Sequence, residues 1–190
     1  MRLISEIDPN FSVLRPKQEE FTFYNVRELP FSVSGIYWED GKYRRIPEKV
    51  AAEINPGVLE YHAATAGGRV RFCTDSPAIA MQAELGSIWK WGHFALTGCA
   101  GFDLYATGDG ANFHFGTFIP PVDLQDRYEA VLQTDGVMRE YTINFPYYSE
   151  VKELRIGLAP GSRLEAPGAY VGDAPVVYYG SSITHGGCAS

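Results

Sequence analysis

The sequence predicts an all-β fold, an antiparallel two-sheet β-sandwich of jelly-roll-like form. Apolar and polar residues alternate at period two through most of the chain, and turn residues interrupt the runs at short intervals. Aromatics at 14%, with 20 Gly and 12 Pro, suit short strands joined by tight turns. A closed barrel stays open as the alternative, because strand patterning does not count sheet edges.

The one helical candidate comes first, at 47–54, short and ended by Asn55-Pro56-Gly57. In Arg69-Val70-Arg71-Phe72-Cys73-Thr74 the apolar Val70 and Phe72 alternate with charged neighbours. The following run puts Ile79, Met81, Ala83 and Leu85 on one face. Asp75-Ser76-Pro77 between them is a turn, so the two runs are expected to form a hairpin. The same alternation recurs at Phe102-Leu104-Ala106, Phe113-Phe115, Tyr128-Ala130-Leu132, Tyr141-Ile143-Phe145 and Leu154-Ile156-Leu158. Gly108-Asp109-Gly110, Pro120-Pro121, Thr134-Asp135-Gly136 and Pro160-Gly161 separate these runs. No internal repeat is visible.

Alternation stops after Gly161. Residues 162–175, with Pro167, Gly168, Gly172 and Pro175, read as a linker, which makes 1–161 the sandwich domain. Val176-Val177-Tyr178-Tyr179 is instead an unbroken apolar run, the pattern of a strand buried on both faces of a parallel α/β sheet. A second domain is therefore expected to begin at 176–190.

At 190 residues the chain has room for one sizeable core, or one domain and the start of another. A hydrophobic share of 45% and a charged share of 21% are those of a soluble globular protein. The net charge of −7 argues against nucleic acid or an anionic membrane as partner, since both need a basic surface. No stretch approaches the roughly 18 apolar residues of a membrane span. The N-terminus, Met1-Arg2-Leu3-Ile4-Ser5-Glu6-Ile7-Asp8, lacks an apolar signal core, which predicts a cytoplasmic protein. A mature chain stripped of its signal would begin the same way, so secretion stays open. Cys73, Cys99 and Cys188 are an odd set without metal-ligand spacing, read as incidental thiols. Gly108-Asp109-Gly110-Ala111-Asn112 lacks the closing carboxylate of a calcium loop. Neither metal nor cofactor is expected.

The chemistry-bearing segment is Gly180-Ser181-Ser182-Ile183-Thr184-His185-Gly186-Gly187. A Gly-Ser turn at the end of a buried strand exposes a hydroxyl where α/β sheets hold their ligands. The G-x-S-x-G elbow fails because Thr184 takes the last glycine position, and no Gly-Lys-Ser/Thr follows to make a P-loop. Tyr179-Gly180-Ser181-Ser182-Ile183-Thr184-His185-Gly186 resembles the first sequence block of the SGNH/GDSL hydrolases, in the subgroup with an N-terminal sandwich. Gly68-Arg69-Val70-Arg71-Phe72-Cys73-Thr74-Asp75-Ser76, Gly101-Phe102-Asp103-Leu104-Tyr105, Tyr141-Thr142-Ile143-Asn144-Phe145-Pro146 and Arg155-Ile156-Gly157 resemble that subgroup's accessory domain, in the same order.

The resemblance implies that 176–190 opens a flavodoxin-like catalytic domain, truncated after its first strand and nucleophile turn. It implies Ser182 as nucleophile, with its own backbone N–H as one oxyanion donor and further donors from a later Gly and Asn. Ser181 and Ile183 replace the Asp and Leu of G-D-S-L, but that Asp is not the triad acid. The family's base comes from a later Asp-x-x-His. None of His62, His93, His114 and His185 follows an Asp by three residues, and all but His185 precede the serine. The chain by itself is therefore expected to be inactive.

Trp89 and Trp91 flank Lys90 in a predicted loop, and would either stack on a sugar ring or pack into the sandwich's end. His93 beside them reads as structural. Tyr147, in Pro146-Tyr147-Tyr148-Ser149, is a candidate at the domain interface. Asp103 and Tyr105 alternate outward from Phe102 and Leu104, toward another domain or water. Three functions compete: the front of a serine esterase acting on acyl esters, carbohydrate esters among them; a stand-alone carbohydrate-binding module; and a structural sandwich.

Overall fold

The computed structural model describes residues 21–188 except 109, 171 and 173. The N-terminal residues 1–8 and Asp109 of the calcium-like loop fall outside this set. The first strands are short: β1 (Thr22–Asn25), β2 (Ser32–Ser34), β3 (Tyr37–Glu39) and β4 (Lys42–Arg44). Two helices follow, α1 (Glu48–Ile54) and α2 (Pro56–Tyr61), then β5 (Arg69–Thr74), β6 (Ala78–Ile88) and the short α3 (Leu96–Ala100). The remaining strands are β7 (Phe102–Gly108), β8 (Ala111–Phe118), β9 (Arg127–Gln133), β10 (Arg139–Asn144), β11 (Ser149–Leu158) and β12 (Leu164–Glu165), before a last turn of helix, α4 (Ser182–His185). No helix among the described residues is long and apolar enough to cross a membrane.

Ten of the strands form two antiparallel sheets around one core, and β3 and β4 pair separately. One sheet has the order β1-β11-β6-β9, the other β12-β5-β10-β7-β8, with β2 also on β5. Val70, Phe72, Leu104, Tyr141 and Ile143 reach inward from the second sheet, and Ile79, Met81, Leu154 and Ile156 from the first. All are fully buried in a single cluster. Each aliphatic or phenyl side chain among them contributes roughly 1.5–3 kcal/mol by leaving water. The sheets share no strand, so this is an open sandwich and not the alternative barrel.

Every alternating run read from the sequence lies in a strand, apart from Phe145 just past the end of β10, but the expected hairpin of 69–74 with 79–85 does not form. β5 pairs β10, β2 and β12, whereas β6 pairs β11 and β9. Residues 75–77 turn the corner between sheets. There the buried Ser76 accepts from Ala159 N and donates to Ala78 O, while Thr74 Oγ1 accepts from Ser76 N. Both strands face the same core from opposite sides, which alternation alone does not distinguish from pairing.

Residues 162–170 are not a free linker. Leu164 and Glu165 pair with Thr74 and Cys73. Arg163 Nε lies 2.7 Å from Asp75, and Gly168 N donates to Glu140 at 2.8 Å. Tyr170 lies under the Arg71 guanidinium at 4.1 Å and hydrogen bonds Ser34. The run 176–179 also departs from expectation: it forms no strand, and its four side chains are 76–82% exposed. A strand buried on both faces needs flanking strands and covering helices, and the described residues supply none for it.

Short elements escape the alternation signal, among them β1, β2, the β3–β4 hairpin, α2, α3 and β12. The hairpin turns on Asp40-Gly41, a two-residue signal that three-residue flanking strands make hard to weigh. Asn55 closes α1 and caps α2, accepting from Val58 N at 3.0 Å.

Candidate functional site

The segment joining β10 to β11 is fixed from both sides. Tyr147 N and Tyr148 N donate to Gly98 O and Cys99 O of α3, and Trp89 N donates to Tyr148 O. Ser149 Oγ donates to Cys99 O at 2.7 Å, and Thr65 Oγ1 donates to Ser149 O. This presents Tyr148 at one end of the sandwich within an aromatic group. Trp91 meets its ring edge-on at 4.6 Å and Phe94 at 5.4 Å, while Tyr61 stacks obliquely on Trp89 at 5.3 Å. Such pairs contribute about 0.5–1.5 kcal/mol each beyond burial.

Trp89 and Trp91 are therefore half-buried parts of this group, packed against the core, and not an exposed platform. Lys90 between them is tied to Leu124 O at 2.8 Å. Trp91→Ala is expected to lower unfolding free energy by roughly 2 kcal/mol, less than the roughly 3–5 of a fully buried tryptophan. Urea unfolding measures this; a change near zero would restore the platform reading.

The Ser182 turn sits on this same end. The His185 ring stacks on Tyr148 at 4.3 Å and 6° and stands edge-on to Tyr61 at 6.4 Å. Gly186, in the left-handed region at φ +100°, ends α4; a Cβ there would lie 3.3 Å from the Tyr147 ring. Gly180 admits the Thr184 side chain, whose Oγ1 would stand 2.2 Å from an added Cβ. Ser181 Oγ accepts from Ile183 N at the start of α4. Ser182 takes the first helical position, exposed, and its hydroxyl has no hydrogen-bond partner among the described residues. Its backbone N–H belongs to the first turn, where no intrahelical acceptor exists.

His185 is held at both nitrogens. Nε2 bonds the Tyr147 carbonyl, which only accepts, so Nε2 carries the proton. Nδ1 then accepts from Arg45 Nη1 at 3.4 Å. Burial, with the nearby Arg45 charge, pushes the imidazole down to about 4. Neither nitrogen is free to take a proton from Ser182. His62 is likewise occupied, by Leu59 O at 2.6 Å and Arg44 Nη1 at 2.9 Å. His114 lies on β8 beside Thr117, and His93 lies exposed near Trp91.

A depressed imidazole makes the docked turn pH-dependent. The groups facing His185 are Arg45, Tyr61, the Tyr147 carbonyl and Tyr148, so protonation adds a cation beside Arg45 and removes an acceptor. The docked state binds fewer protons than the free one, so docking is fully favoured above about 6.5 and weakens as pH falls toward about 4. The ring-shifted His185 proton signals are expected to move to free values across that window. Titration near 6.5 with the stack intact would contradict it.

The outer face of the larger sheet carries Asp103 and Tyr105. Asp103 accepts from Thr117 Oγ1 at 2.7 Å, and Tyr105 lies beside a shallow cleft with Arg69, Asn144 and Tyr170. Between them Leu104 is buried, and the preceding Phe102 packs on Phe145 at 5.4 Å. Gly101-Phe102-Asp103-Leu104-Tyr105 spells G-x-D-L-Y, and residues 21–164 match the family described as "GxDLY: N-terminus of Esterase_SGNH_hydro-type".

The chain belongs to the GxDLY family.

Solved structures agree on the fold of this GxDLY domain. A protein of Bacteroides ovatus ATCC 8483 described as a GDSL-like lipase is 24% identical with a TM-score of 0.67, over 77% of this chain. The salicylyl-acyltransferase SsfX3 of a tetracycline biosynthetic pathway is 22% identical with a TM-score of 0.57, over 80%. The chain spans 43% of the length of each. No curated protein matches the sequence.

Trp89, Trp91, Tyr147 and Ser182 thus gather at one end of the GxDLY sandwich. Arg45 joins them without having been singled out in the sequence. In Tyr43-Arg44-Arg45 nothing separates it from the neighbouring arginine, which instead turns to Glu48 and His62.

Proposed function

We propose that this chain is the N-terminal part of an SGNH/GDSL-type serine ester hydrolase, with the sandwich as accessory domain and Ser182 as nucleophile. The observation that carries the reading is the exposed hydroxyl of Ser182, without a hydrogen-bond partner among the described residues, on a turn seated against a GxDLY sandwich. Ser182 Oγ attacks the ester carbonyl and its proton passes to a histidine of a later Asp-x-x-His. The alcohol leaves, and water then releases the acid from the acyl-enzyme. The Ser182 N–H donates to the oxyanion. Substrates are acyl esters of carbohydrates or other small alcohols. An acyltransferase name among the structural neighbours fits the same intermediate, resolved by an acceptor other than water.

The base and the remaining oxyanion donors belong to sequence beyond this chain, and residues 176–190 begin that domain. A coverage of 43% of each structural neighbour supports this division. The exposed run 176–179 then gains its sheet neighbours from the same domain. In the full-length protein, a serine-directed fluorophosphonate is expected to label Ser182 and to fail on Ser182→Ala. Unchanged labelling of the variant would refute the assignment.

A further inference from the structure

Resting on Ser182 as nucleophile, we infer that Arg45 and His185 are positioning residues: the sandwich grips the nucleophile turn through them, with His185 as a neutral pin and not a base. The anchor points belong to the accessory domain, although the serine opens the catalytic one. Arg45 follows β4, Tyr147 and Tyr148 precede β11, and Tyr61 ends α2. Their order in the chain is remote from 182, yet all converge on one imidazole.

The grip is specific in chemistry. The Tyr147 carbonyl accepts from Nε2 and the Arg45 guanidinium donates to Nδ1, so the pair reads only the neutral Nε2–H tautomer. Tyr148 supplies a parallel face at 4.3 Å, which fixes the plane of the ring. Arg45 is itself anchored by Nη2 donating to Tyr61 O at 2.7 Å, and it has no carboxylate partner among the described residues. Its Nε is buried without a hydrogen bond. A half-buried cation without a counter-ion is costly to keep for structure alone. Here its donors go to the turn and to the Tyr61 carbonyl.

His185 follows Ser182 by three residues within α4, so fixing the ring fixes the serine. Gly187 N donates to Ser182 O at 2.7 Å, and a Cβ on Gly187 would stand 3.0 Å from Tyr148 Oη. The C-terminal end of the turn is therefore registered against Tyr147 and Tyr148, and the Gly187 N–H ties Ser182 to it. Precision of this kind matters to catalysis, since displacing a reacting atom by about 1 Å costs on the order of 100-fold in rate.

The test uses the full-length protein and an activated aryl ester. Arg45→Met and His185→Phe are each expected to lower kcat about 10- to 100-fold with KM within about twofold. The phenyl ring keeps the stack on Tyr148 while removing both nitrogens. Arg45→Lys, which retains a donor, is expected to recover part of the loss. The melting temperature of His185→Phe should stay near that of the parent, so it carries the test if Arg45→Met does not fold. Unchanged kcat in His185→Phe, with Ser182→Ala inactive, would overturn the grip and leave the nucleophile standing. A loss in His185→Phe as deep as that of Ser182→Ala would make His185 the base and overturn its role as pin. An active Ser182→Ala would instead defeat the reading of the nucleophile itself.

Discussion

Ser182→Ala in the full-length protein is expected to cut turnover of an activated ester by about 10⁶, while the same change in the 190-residue chain leaves a background rate unchanged. The two outcomes follow from one accounting of proton acceptors. A serine hydroxyl needs an adjacent base near neutral pH. Of the four histidines here, His62 and His185 have both nitrogens engaged, the His114 ring bonds Thr117, and the His93 ring lies beside Trp91 while only its backbone carbonyl meets Cys188. His185 is also a poor base, held down to about 4 by burial and Arg45. Removing a nucleophile that lacks a base removes nothing measurable. Initial rates on both proteins, each with and without the substitution, make the comparison. Ser182-dependent turnover by the 190-residue chain would mean that one of these histidines swings free, and would overturn the accounting.

Much of the fold was legible because burial in a sandwich imposes period two on any strand with one wet face. The runs at 102–106, 128–132, 141–145 and 154–158 lie in strands, but for Phe145, with their apolar members buried or packed against the core. The pattern reports which face is buried and says nothing of which strand lies beside it. That is why alternation on both sides of 75–77 suggests a hairpin where the chain instead turns a corner between sheets. β2, β3 and β4, at three residues each, are too short to show a period at all. The segment 162–170 lacked alternation because its attachments run through Arg163, Gly168 and Tyr170, by ion pair, backbone and ring, and hardly through apolar side chains.

The site was legible in part. Ser182 is marked by the resemblance of residues 179–186 to the SGNH/GDSL block more than by the Gly-Ser turn alone, and Trp89, Trp91 and Tyr147 by their aromatic side chains in turn-like segments. Their meeting at one end of the sandwich is a long-range fact, set by α3 and the 146–149 segment, which no local spacing encodes. Arg45 carried no signal, since a charged residue after a short strand is the ordinary solvated case. Its role rests on burial and on what its donors reach.

Phe102→Ala is expected to cost about 3–5 kcal/mol of stability, the largest single loss predicted for the sandwich. Phe102 opens β7 inside the G-x-D-L-Y segment and is fully buried. Its ring lies 5.4 Å from Phe145 and 6.5 Å from Tyr128. Tyr128 belongs to the other sheet, and its hydroxyl donates to Ala100 O at 2.8 Å and Phe118 O at 3.2 Å, the residues just before Phe102 and opposite it. Truncation would therefore open a cavity between the sheets beside a buried phenol whose one proton is shared between two carbonyls and must keep an acceptor to stay satisfied. Collapse of the neighbours is resisted by those hydrogen bonds, which keeps the cost toward the upper end. Phe113→Ala on β8, at 43% exposure, is the matched control and is expected to lose well under about 1 kcal/mol. Urea denaturation of the two variants reads the difference. Equal losses would place Phe102 outside the core, and with it the packing that joins the G-x-D-L-Y strand to the opposite sheet.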